Sequence, residues 1–195
     1  MPGGPLSSRF GIGVFSTAAS AMMAATPGIS SLELSLFRLV NQLPGSFRIA
    51  LASVMQLGSL SAVPASAGVA LLKRCPALAA DLALAGGLSW GAAKAMKVMV
   101  ARARPALLLT EVLIHGREQG GNGFPSGHAA VAAALATVAG DHLPAPARCP
   151  TVALIAAVAL ARVYIGAHMP VDVVGGGALG FTIGTAVMAR HSPRD

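Results

Sequence analysis

The sequence predicts an all-α protein, a polytopic membrane helical bundle with about six transmembrane helices. Hydrophobic residues make up 54% of the 195 positions and charged residues only 11%, whereas soluble domains carry about 25% charged residues. The mean hydropathy is +0.69. Several stretches of about 17–25 residues lack interior charge, which is the length that crosses a hydrocarbon core of about 30 Å. We therefore expect residues 1–195 to form a single membrane-embedded domain.

The expected spans are, in chain order, 10–26, 49–72, 78–100, 127–143, 151–167 and 172–189. The first stretch follows Arg9 and has two interpretations, a retained span or the apolar region of a signal peptide. No clean small-x-small cleavage site stands before Pro27, which favours the retained span. Glycine is frequent in the last span, and small residues allow helices to pack closely in lipid.

The segment Ser31–Leu43 has the pattern of an amphipathic helix between the first two spans. Its leucines recur at helical spacing, with Glu33 and Arg38 elsewhere on the helix. The leucines are Leu32, Leu36, Leu39 and Leu43. This pattern predicts a helix at the membrane interface, and a simple connecting helix is an equally good interpretation.

The net charge of +7 does not indicate nucleic-acid binding. The basic residues are divided among short loops and three segments, and no basic face with aromatic platforms is present. Loop cations at one end of the spans predict the cytoplasmic side; these are Arg9, Lys73, Arg74, Arg148, Arg190 and Arg194. The other side holds cations that we set aside as functional: Arg102, Arg104, Arg117 and Arg162.

The two cysteines, Cys75 and Cys149, both fall on the predicted cytoplasmic side. Two cysteines make neither a disulfide framework nor a metal-ligand spacing, and a reducing compartment keeps them as free thiols. The longest polar connection runs over residues 105–125 and is rich in glycine. It is either a lid over a substrate entrance or a flexible connection.

Three short segments combine cations and histidines within an otherwise apolar background. Lys97–Pro105 reads KVMVARARP, Pro125–His128 reads PSGH and Arg162–Asp172 reads RVYIGAHMPVD. Together they supply two histidines, several fixed cations and one carboxylate. Because charged residues are scarce in this chain, we expect each of these residues to have a function. The combination is suited to binding a phosphate and attacking its phosphorus atom.

In the first segment, Lys97 and Arg104 are seven residues apart, so on a helix they lie nearly in line. We expect Pro105 to end that helix directly after Arg104. Such a row of cations predicts an anion site, with membrane anchoring by snorkelling side chains as the alternative. For Lys94 alone we favour the alternative.

In the second segment, Ser126 is a favoured N-cap residue and Gly127 allows a ligand to approach the backbone. The free N–H groups and the helix dipole then form an anion cradle. His128 in the first turn is suited to give or take a proton beside a bound group. The alternative is an ordinary N-cap followed by an interfacial histidine.

In the third segment, His168 and Asp172 are four residues apart, one helical turn, so the carboxylate can orient the imidazole. Arg162 lies on another helix face, but Gly166 and Pro170 allow the chain to break and bring Arg162 and His168 together. A planar guanidinium suits bidentate phosphate contacts. The alternative is a buried His–Asp pair with a purely structural role.

The expected topology brings the three segments to one membrane face. Lys97 and Arg104 end the third span and His128 begins the fourth, while Arg162 ends the fifth and His168 begins the sixth. Structural residues without a common function would scatter over both faces. The sequence therefore predicts a phosphate-transfer site at the outer surface of the bilayer.

In their order and spacing the three segments resemble the signature of the type-2 phosphatidic acid phosphatase family, which includes haloperoxidases and bacterial acid phosphatases. The resemblance spans Lys97–Asp172 and is closest to the membrane lipid-phosphatase branch. It implies that His168 is a nucleophile held by Asp172 and that His128 is the general acid. It also implies a clamp on the phosphoryl oxygens formed by Lys97, Arg104, Arg162, Ser126 and Gly127.

The implied activity is hydrolysis of a lipid phosphate or diphosphate through a phosphohistidine, without a cofactor or metal. Candidate substrates are polyprenyl phosphates or diphosphates, phosphatidylglycerol phosphate and phosphatidic acid, and the implied location is the plasma membrane with the site facing outward. The family often has serine where this chain has Ala161, and we expect a modest effect on rate or substrate fit. The alternatives are a non-catalytic lipid-phosphate binder or transporter and, less compatible with a membrane, a vanadate-dependent oxidase.

Overall fold

A computed structural model describes residues 6–191, apart from the side chains at positions 145 and 147–149. The expectations for the side chains of Arg148 and Cys149, and for Arg194, fall outside this part. The described residues form nine α-helices and no strand, which confirms the all-α prediction. Helices α1 to α9 are, in chain order, Leu6–Ala25, Ser31–Asn41, Arg48–Met55, Ala62–Leu72, Pro76–Val100, Pro105–Leu108, Gly127–Asp141, Ala145–Tyr164 and Pro170–Ala189.

Helix α7 is the centre of the bundle. It packs against α5, α8 and α9, and most of its residues are buried alanines and valines. A helix that is apolar on every side is stable only when its neighbours cover it. The small alanine side chains let those neighbours approach closely, so the ends of α7 and α9 lie side by side.

A glycine stripe on α9 sets the distance between α7 and α9. Gly176, Gly180 and Gly184 recur every four residues and so share one face. A Cβ atom at Gly176 would collide with the carbonyl oxygen of Ser126, and one at Gly180 with the carbonyl oxygen of Ala130. The two backbones are therefore in direct contact, which fixes the relative position of the side chains at the start of each helix.

The predicted span over residues 49–72 is bent in the structure and is not one straight helix. Helix α3 passes into a 3-10 turn, Gln56–Gly58, and α4 begins only at Ala62 with a bend of 70° between the two halves. Pro64 lacks an N–H group and is tolerated only in the first turn of a helix. Gly58 packs so closely on α7 that a Cβ atom there would collide with the carbonyl oxygen of His128.

Among the described residues, α9 is the one helix long and apolar enough by itself to cross a membrane. The bent pair Gly45–Gly58 and Ala62–Leu72 qualifies as a second span if its two halves are counted together. Helix α7 has 15 residues and is about 22 Å long at 1.5 Å per residue, which is shorter than a bilayer core of about 30 Å. The number of six spans therefore stays a prediction.

Two further helices lie against this bundle. Helix α1 packs along α9, where Gly13 contacts Thr182. Helix α2 packs on α8 and α9 and buries three residues spaced four apart: Glu33, Phe37 and Asn41. Its leucines point outward, since Leu32, Leu36 and Leu39 are exposed. The acidic side chain of Glu33 thus faces the protein together with Phe37, while these three leucines face away.

Candidate active site

All the predicted site residues lie at one end of the bundle. This end comprises the last turn of α5, the first turns of α7 and α9, the last turn of α8 and the connections beside them. Other ion pairs lie at the opposite end, where Arg9 binds Asp141 at 3.1 Å and Arg190 binds Asp81 at 2.7 Å. The free, exposed thiol of Cys75 lies there as well, in the turn between α4 and α5.

The predicted helix from Lys97 through Arg104 is wrong in its second half. Helix α5 ends at Val100, and Ala101 takes the left-handed conformation with φ = 50°. Pro105 then starts α6 instead of ending a helix, because its fixed φ and missing N–H suit the first helical position. Arg104 consequently lies on a non-helical segment that turns back toward the bundle.

Backbone carbonyl groups surround the two cations of the first segment. Lys97 Nζ donates to two carbonyl oxygens of residues 120–123 at 2.8 and 2.9 Å, and Arg104 Nε donates to two others at 3.0 and 3.1 Å. Arg104 Nη1 donates to the carbonyl oxygen of Ala167 at 2.7 Å. These contacts hold both cations in place without neutralising them. Lys94 is directed elsewhere, with Nζ 5.5 Å from the ring centre of Trp90.

Ser126 begins α7 as predicted. It is the N-cap, and its Oγ accepts a hydrogen bond from the backbone N–H of Ala129 at 3.4 Å. A Cβ atom at Gly127 would meet nothing within 4 Å, so the backbone at the positive end of α7 is open to a ligand. His128 follows in the first turn and is half-buried. The backbone N–H of Ser126 also donates to the carbonyl oxygen of Asp172 at 2.9 Å, which ties α7 to α9.

Arg162 lies in the last turn of α8 and is 3% exposed. Its Nη1 contacts Met55 Sδ at 2.9 Å, and its buried Nε has no hydrogen-bond partner among the described residues. A buried cation that lacks a counter-ion is costly. Among the described residues no carboxylate pairs with this guanidinium, so a bound anion would offset the cost of its burial.

His168 and Asp172 do not share a helical turn, contrary to the prediction, although the two side chains do approach each other. His168 lies in the connection before α9, which begins at Pro170. Its Nδ1 is 3.6 Å from Asp172 Oδ2, slightly beyond hydrogen-bond distance, and its Nε2 is 3.5 Å from Arg104 Nη1. One ring nitrogen thus faces the carboxylate and the other faces the cations.

Electrostatics favour the neutral form of His168. Burial holds the pKa of this imidazole well below 6.5, and the nearby charges of Arg162, Lys97 and Arg104, together with His128, lower it further. A neutral imidazole has a free lone pair on one nitrogen and is a competent nucleophile. Within the part of the chain that is described, no group of three or more His, Cys, Asp or Glu residues is arranged to hold a metal ion.

Arg102 and Glu33 meet at this site, although the sequence predicts no specific role for Arg102 and indicates no place for Glu33 in the site. Arg102 donates to Asp172 Oδ1 at 3.0 Å and to both carboxylate oxygens of Glu33 at 3.0 and 2.8 Å. The available signal was the rarity of acidic residues, of which the chain has seven. Glu33 was assigned only to the polar part of an amphipathic helix, and nothing in the local pattern showed that it faces the bundle.

The connection over residues 105–125 is fastened at two places. Asn41 exchanges hydrogen bonds with the backbone of Leu113 at 2.8 and 2.9 Å, and the ring of His115 stacks on Tyr164 with centroids 4.2 Å apart. The carbonyl groups near its end accept hydrogen bonds from Lys97 and Arg104. The middle and the end of this connection are therefore held against the site.

Two solved structures have this fold. The crystal structure of Aquifex aeolicus LpxE aligns with a TM-score of 0.73 and 24% identity over 82% of this chain and 96% of that one. The crystal structure of a transmembrane PAP2 type phosphatidylglycerolphosphate phosphatase from Bacillus subtilis aligns with a TM-score of 0.71 and 20% identity. The alignment covers 95% of this chain and 94% of that one. The likeness to these structures confirms the predicted membrane-type helical bundle.

No curated protein matches the chain by sequence comparison. The sequence profile of the PAP2 superfamily, by contrast, matches residues 77–195, which is more than half of the chain and includes all three charged segments. The site residues and the fold agree with that match. The chain belongs to the PAP2 superfamily.

Proposed function

We propose that this protein is an integral membrane phosphatase that releases phosphate from a lipid phosphate or diphosphate. One observation carries the proposal. Lys97, Arg104 and Arg162 converge on a buried neutral His168, and their hydrogen bonds go to backbone carbonyl groups and a thioether. Such a cluster needs an anion for charge balance, and a phosphoryl group with three equatorial oxygens suits three cationic donors.

In the proposed reaction, Nε2 of His168 attacks phosphorus while Nδ1–H points toward Asp172. The P–N bond forms as the P–O bond to the lipid breaks, and His128 gives its proton to the leaving oxygen. Water then attacks the phosphohistidine, His128 takes a proton from the water, and the P–N bond breaks to release inorganic phosphate. Each turnover therefore returns both histidines to their starting protonation states.

The remaining donors act on the transferring group. The clamp consists of Lys97, Arg104, Arg162, the Oγ of Ser126 and the backbone N–H of Gly127. Fixed donors of this kind stabilise charge that develops in the transition state, so we propose that the reaction proceeds without a metal or another cofactor. We also propose that residues 1–195 work as one domain, because α1 and α2 both pack on α9.

Membership of the superfamily and the apolar exterior support a lipid substrate in a bilayer. The headgroup would reach the charged end of the bundle while the hydrocarbon chain stays in the membrane. We propose the plasma membrane as location and its outer face as the side of the site. A polyprenyl phosphate or diphosphate, phosphatidylglycerol phosphate and phosphatidic acid are the substrates to compare.

The test measures phosphate release by the purified protein in detergent with EDTA present, using phosphatidylglycerol phosphate, phosphatidic acid and a polyprenyl diphosphate. We expect turnover of at least one lipid, inhibition by vanadate, and a loss of at least ~10³-fold in His168→Ala. The matched control is His142→Ala, since His142 is an exposed histidine at the other end of α7. Full turnover by His168→Ala would exclude His168 as the nucleophile.

A second experiment traps the intermediate. His128→Ala should still form the P–N bond with a substrate that has a good leaving group but should hydrolyse it slowly. Labelled phosphate on His168 should therefore accumulate after an alkaline quench. Binding of lipid phosphate without turnover in the wild-type protein would instead support a non-catalytic binder or transporter.

A further inference from the structure

A chain of buried charged side chains leads from helix α2 to His168. Glu33, Arg102, Asp172 and His168 are 6%, 8%, 0% and 2% exposed, respectively. Arg102 binds Glu33 through two parallel hydrogen bonds at 3.0 and 2.8 Å and binds Asp172 at 3.0 Å. Asp172 approaches His168 at 3.6 Å. The chain joins residues that are far apart in the sequence, and it ends at the proposed nucleophile.

The contacts of Asp172 leave a single orientation for its carboxylate. Oδ1 accepts from Arg102, and Oδ2 accepts from the backbone N–H of Met169 at 2.9 Å. Oδ2 is therefore the oxygen that faces Nδ1 of His168. Rotation of the carboxylate would break both hydrogen bonds, so Arg102 fixes the direction from which Asp172 meets the imidazole.

Glu33 in turn fixes Arg102. A bidentate pair between a guanidinium and a carboxylate holds both planar groups in one geometry. Glu33 Oε1 also accepts from the backbone N–H of Val171 at 3.1 Å, and the backbone N–H of Glu33 is capped by Ser30 Oγ at 3.1 Å. Helix α2 is thereby locked to the first turn of α9, which carries Asp172.

The charges of the chain matter as well as its geometry. A pair formed by Arg102 and Asp172 alone would be neutral, and Asp172 would be a weak acceptor for the imidazole. With Glu33 present, one guanidinium is shared between two carboxylates, so Arg102 offsets less of the charge of Asp172 beside His168. That charge favours the Nδ1–H tautomer and stabilises the positive charge that the imidazole gains as the P–N bond forms.

We propose that Glu33 and Arg102 are positioning residues for phosphate transfer, acting through Asp172 on His168. The inference rests on the proposed phosphatase function and adds to it a helix outside the family match, which begins at residue 77. Neither residue contacts Lys97, Arg104 or Arg162 through a hydrogen bond in the described part of the chain. Their role is therefore in the rate of the chemical step and not in binding the phosphate.

The experiment compares Glu33→Gln with wild-type protein and with Glu118→Gln, which changes an exposed glutamate in the same way. Glutamine keeps the shape of Glu33 but removes its charge. We expect kcat to fall about 10- to 100-fold, the loss that a small misplacement of a reacting group causes. The KM and the Kd for vanadate should stay within about threefold of wild type, because the cation clamp is untouched.

Rates are divided by the number of vanadate-binding sites, so that unfolded molecules are not counted as inactive enzyme. Glu33→Asp keeps the charge and should recover part of the lost kcat, whereas Arg102→Lys loses the bidentate geometry and should not. The amount of phosphohistidine formed in a single turnover should fall in parallel with kcat.

The outcomes separate this inference from the function on which it rests. Absence of phosphatase activity in wild-type protein would remove the proposed function itself. Active wild-type protein with an unchanged kcat in Glu33→Gln would overturn the positioning role. A raised KM and vanadate Kd at constant kcat would also overturn it, since those changes belong to substrate binding.

Discussion

Arg102 and Arg104 lie two residues apart and are equally buried, at 8% exposure each, yet their surroundings are opposite. Arg102 binds two carboxylates, those of Glu33 and Asp172. Arg104 donates to backbone carbonyl groups and lies 3.5 Å from His168 Nε2. One guanidinium is thus neutralised by the protein, and the other keeps its charge directed at the proposed nucleophile.

The pKa values of the two arginines reflect these different partners. Burial lowers the pKa of both, but the hydrogen bond to Glu33 and the charge of Asp172 raise that of Arg102 above its ordinary value. The pKa of Arg104 stays below its ordinary value, because Asp172 offsets the effect of burial only in part. Residue type and burial alone therefore do not distinguish a paired cation from one that is free to bind an anion. The hydrogen-bond and ion-pair partners of each arginine make that distinction.

The largest expected effects come from replacing each of the two arginines with alanine, which should affect catalysis at Arg104 and stability at Arg102. Arg104→Ala should lower kcat/KM by ~10²–10³-fold, the usual loss for one donor to a developing charge, with little change in stability. Arg102→Ala leaves two buried carboxylates without a cation and should lower the free energy of unfolding by about 3–5 kcal/mol. Kinetics and thermal unfolding in detergent measure both changes.

Arg117→Ala is the control for this pair, since Arg117 is an exposed arginine of the connection over residues 105–125. It should change neither kcat/KM nor the unfolding temperature. If Arg104→Ala and Arg102→Ala gave the same pattern of losses, the distinction between a free and a paired arginine would not hold.

A smaller effect concerns the dependence of stability on pH. The native protein keeps His168 neutral below pH 6.5, whereas the unfolded chain takes up a proton near that value. The unfolded state then binds more protons, so this histidine makes the protein less stable as the pH falls below 6.5. Replacement by His168→Gln removes that contribution.

The measurement compares thermal unfolding of wild-type protein and His168→Gln from pH 7.5 to pH 5 without phosphate. Wild-type protein should lose stability relative to the variant as the pH decreases. The prediction fails if the difference in unfolding temperature between the two proteins does not depend on pH, or if wild-type protein gains stability relative to the variant as the pH falls. Either result would show that the folded protein accepts a proton on His168 at least as easily as the unfolded chain does.

The smallest expected effect is that of Ala161→Ser, which adds the serine often found in the family beside one of the free cations. Ala161 is fully buried in α8 next to Arg162. A serine hydroxyl in a helix can donate to the carbonyl oxygen one turn earlier, so little stability should be lost. We expect kcat/KM to change by less than about threefold on each lipid, because every charged participant remains. A tenfold change would assign the hydroxyl a direct role at the phosphate.

Signals within a few residues of sequence predicted much of this protein. The apolar stretches identified most of the helices, and Ser126 was recognised as an N-cap from residue type alone. The expected span 78–100 ends where α5 ends, at Val100, but the left-handed conformation of Ala101 was not predicted, since alanine is a good helix former. The break near Gly58 depends on contact with the carbonyl group of His128, 70 positions away in the chain.

The sequence by itself determined which residue types the site has and at which helix ends they occur, because spacing, caps and scarce charges are local properties of the chain. Only the tertiary structure decided which charges are paired. Glu33 and Arg102 are 69 positions apart, and no local pattern encodes their contact, which depends on how α2 packs against α9. That packing pairs Arg102 with two carboxylates and leaves Lys97, Arg104 and Arg162 for the proposed phosphate.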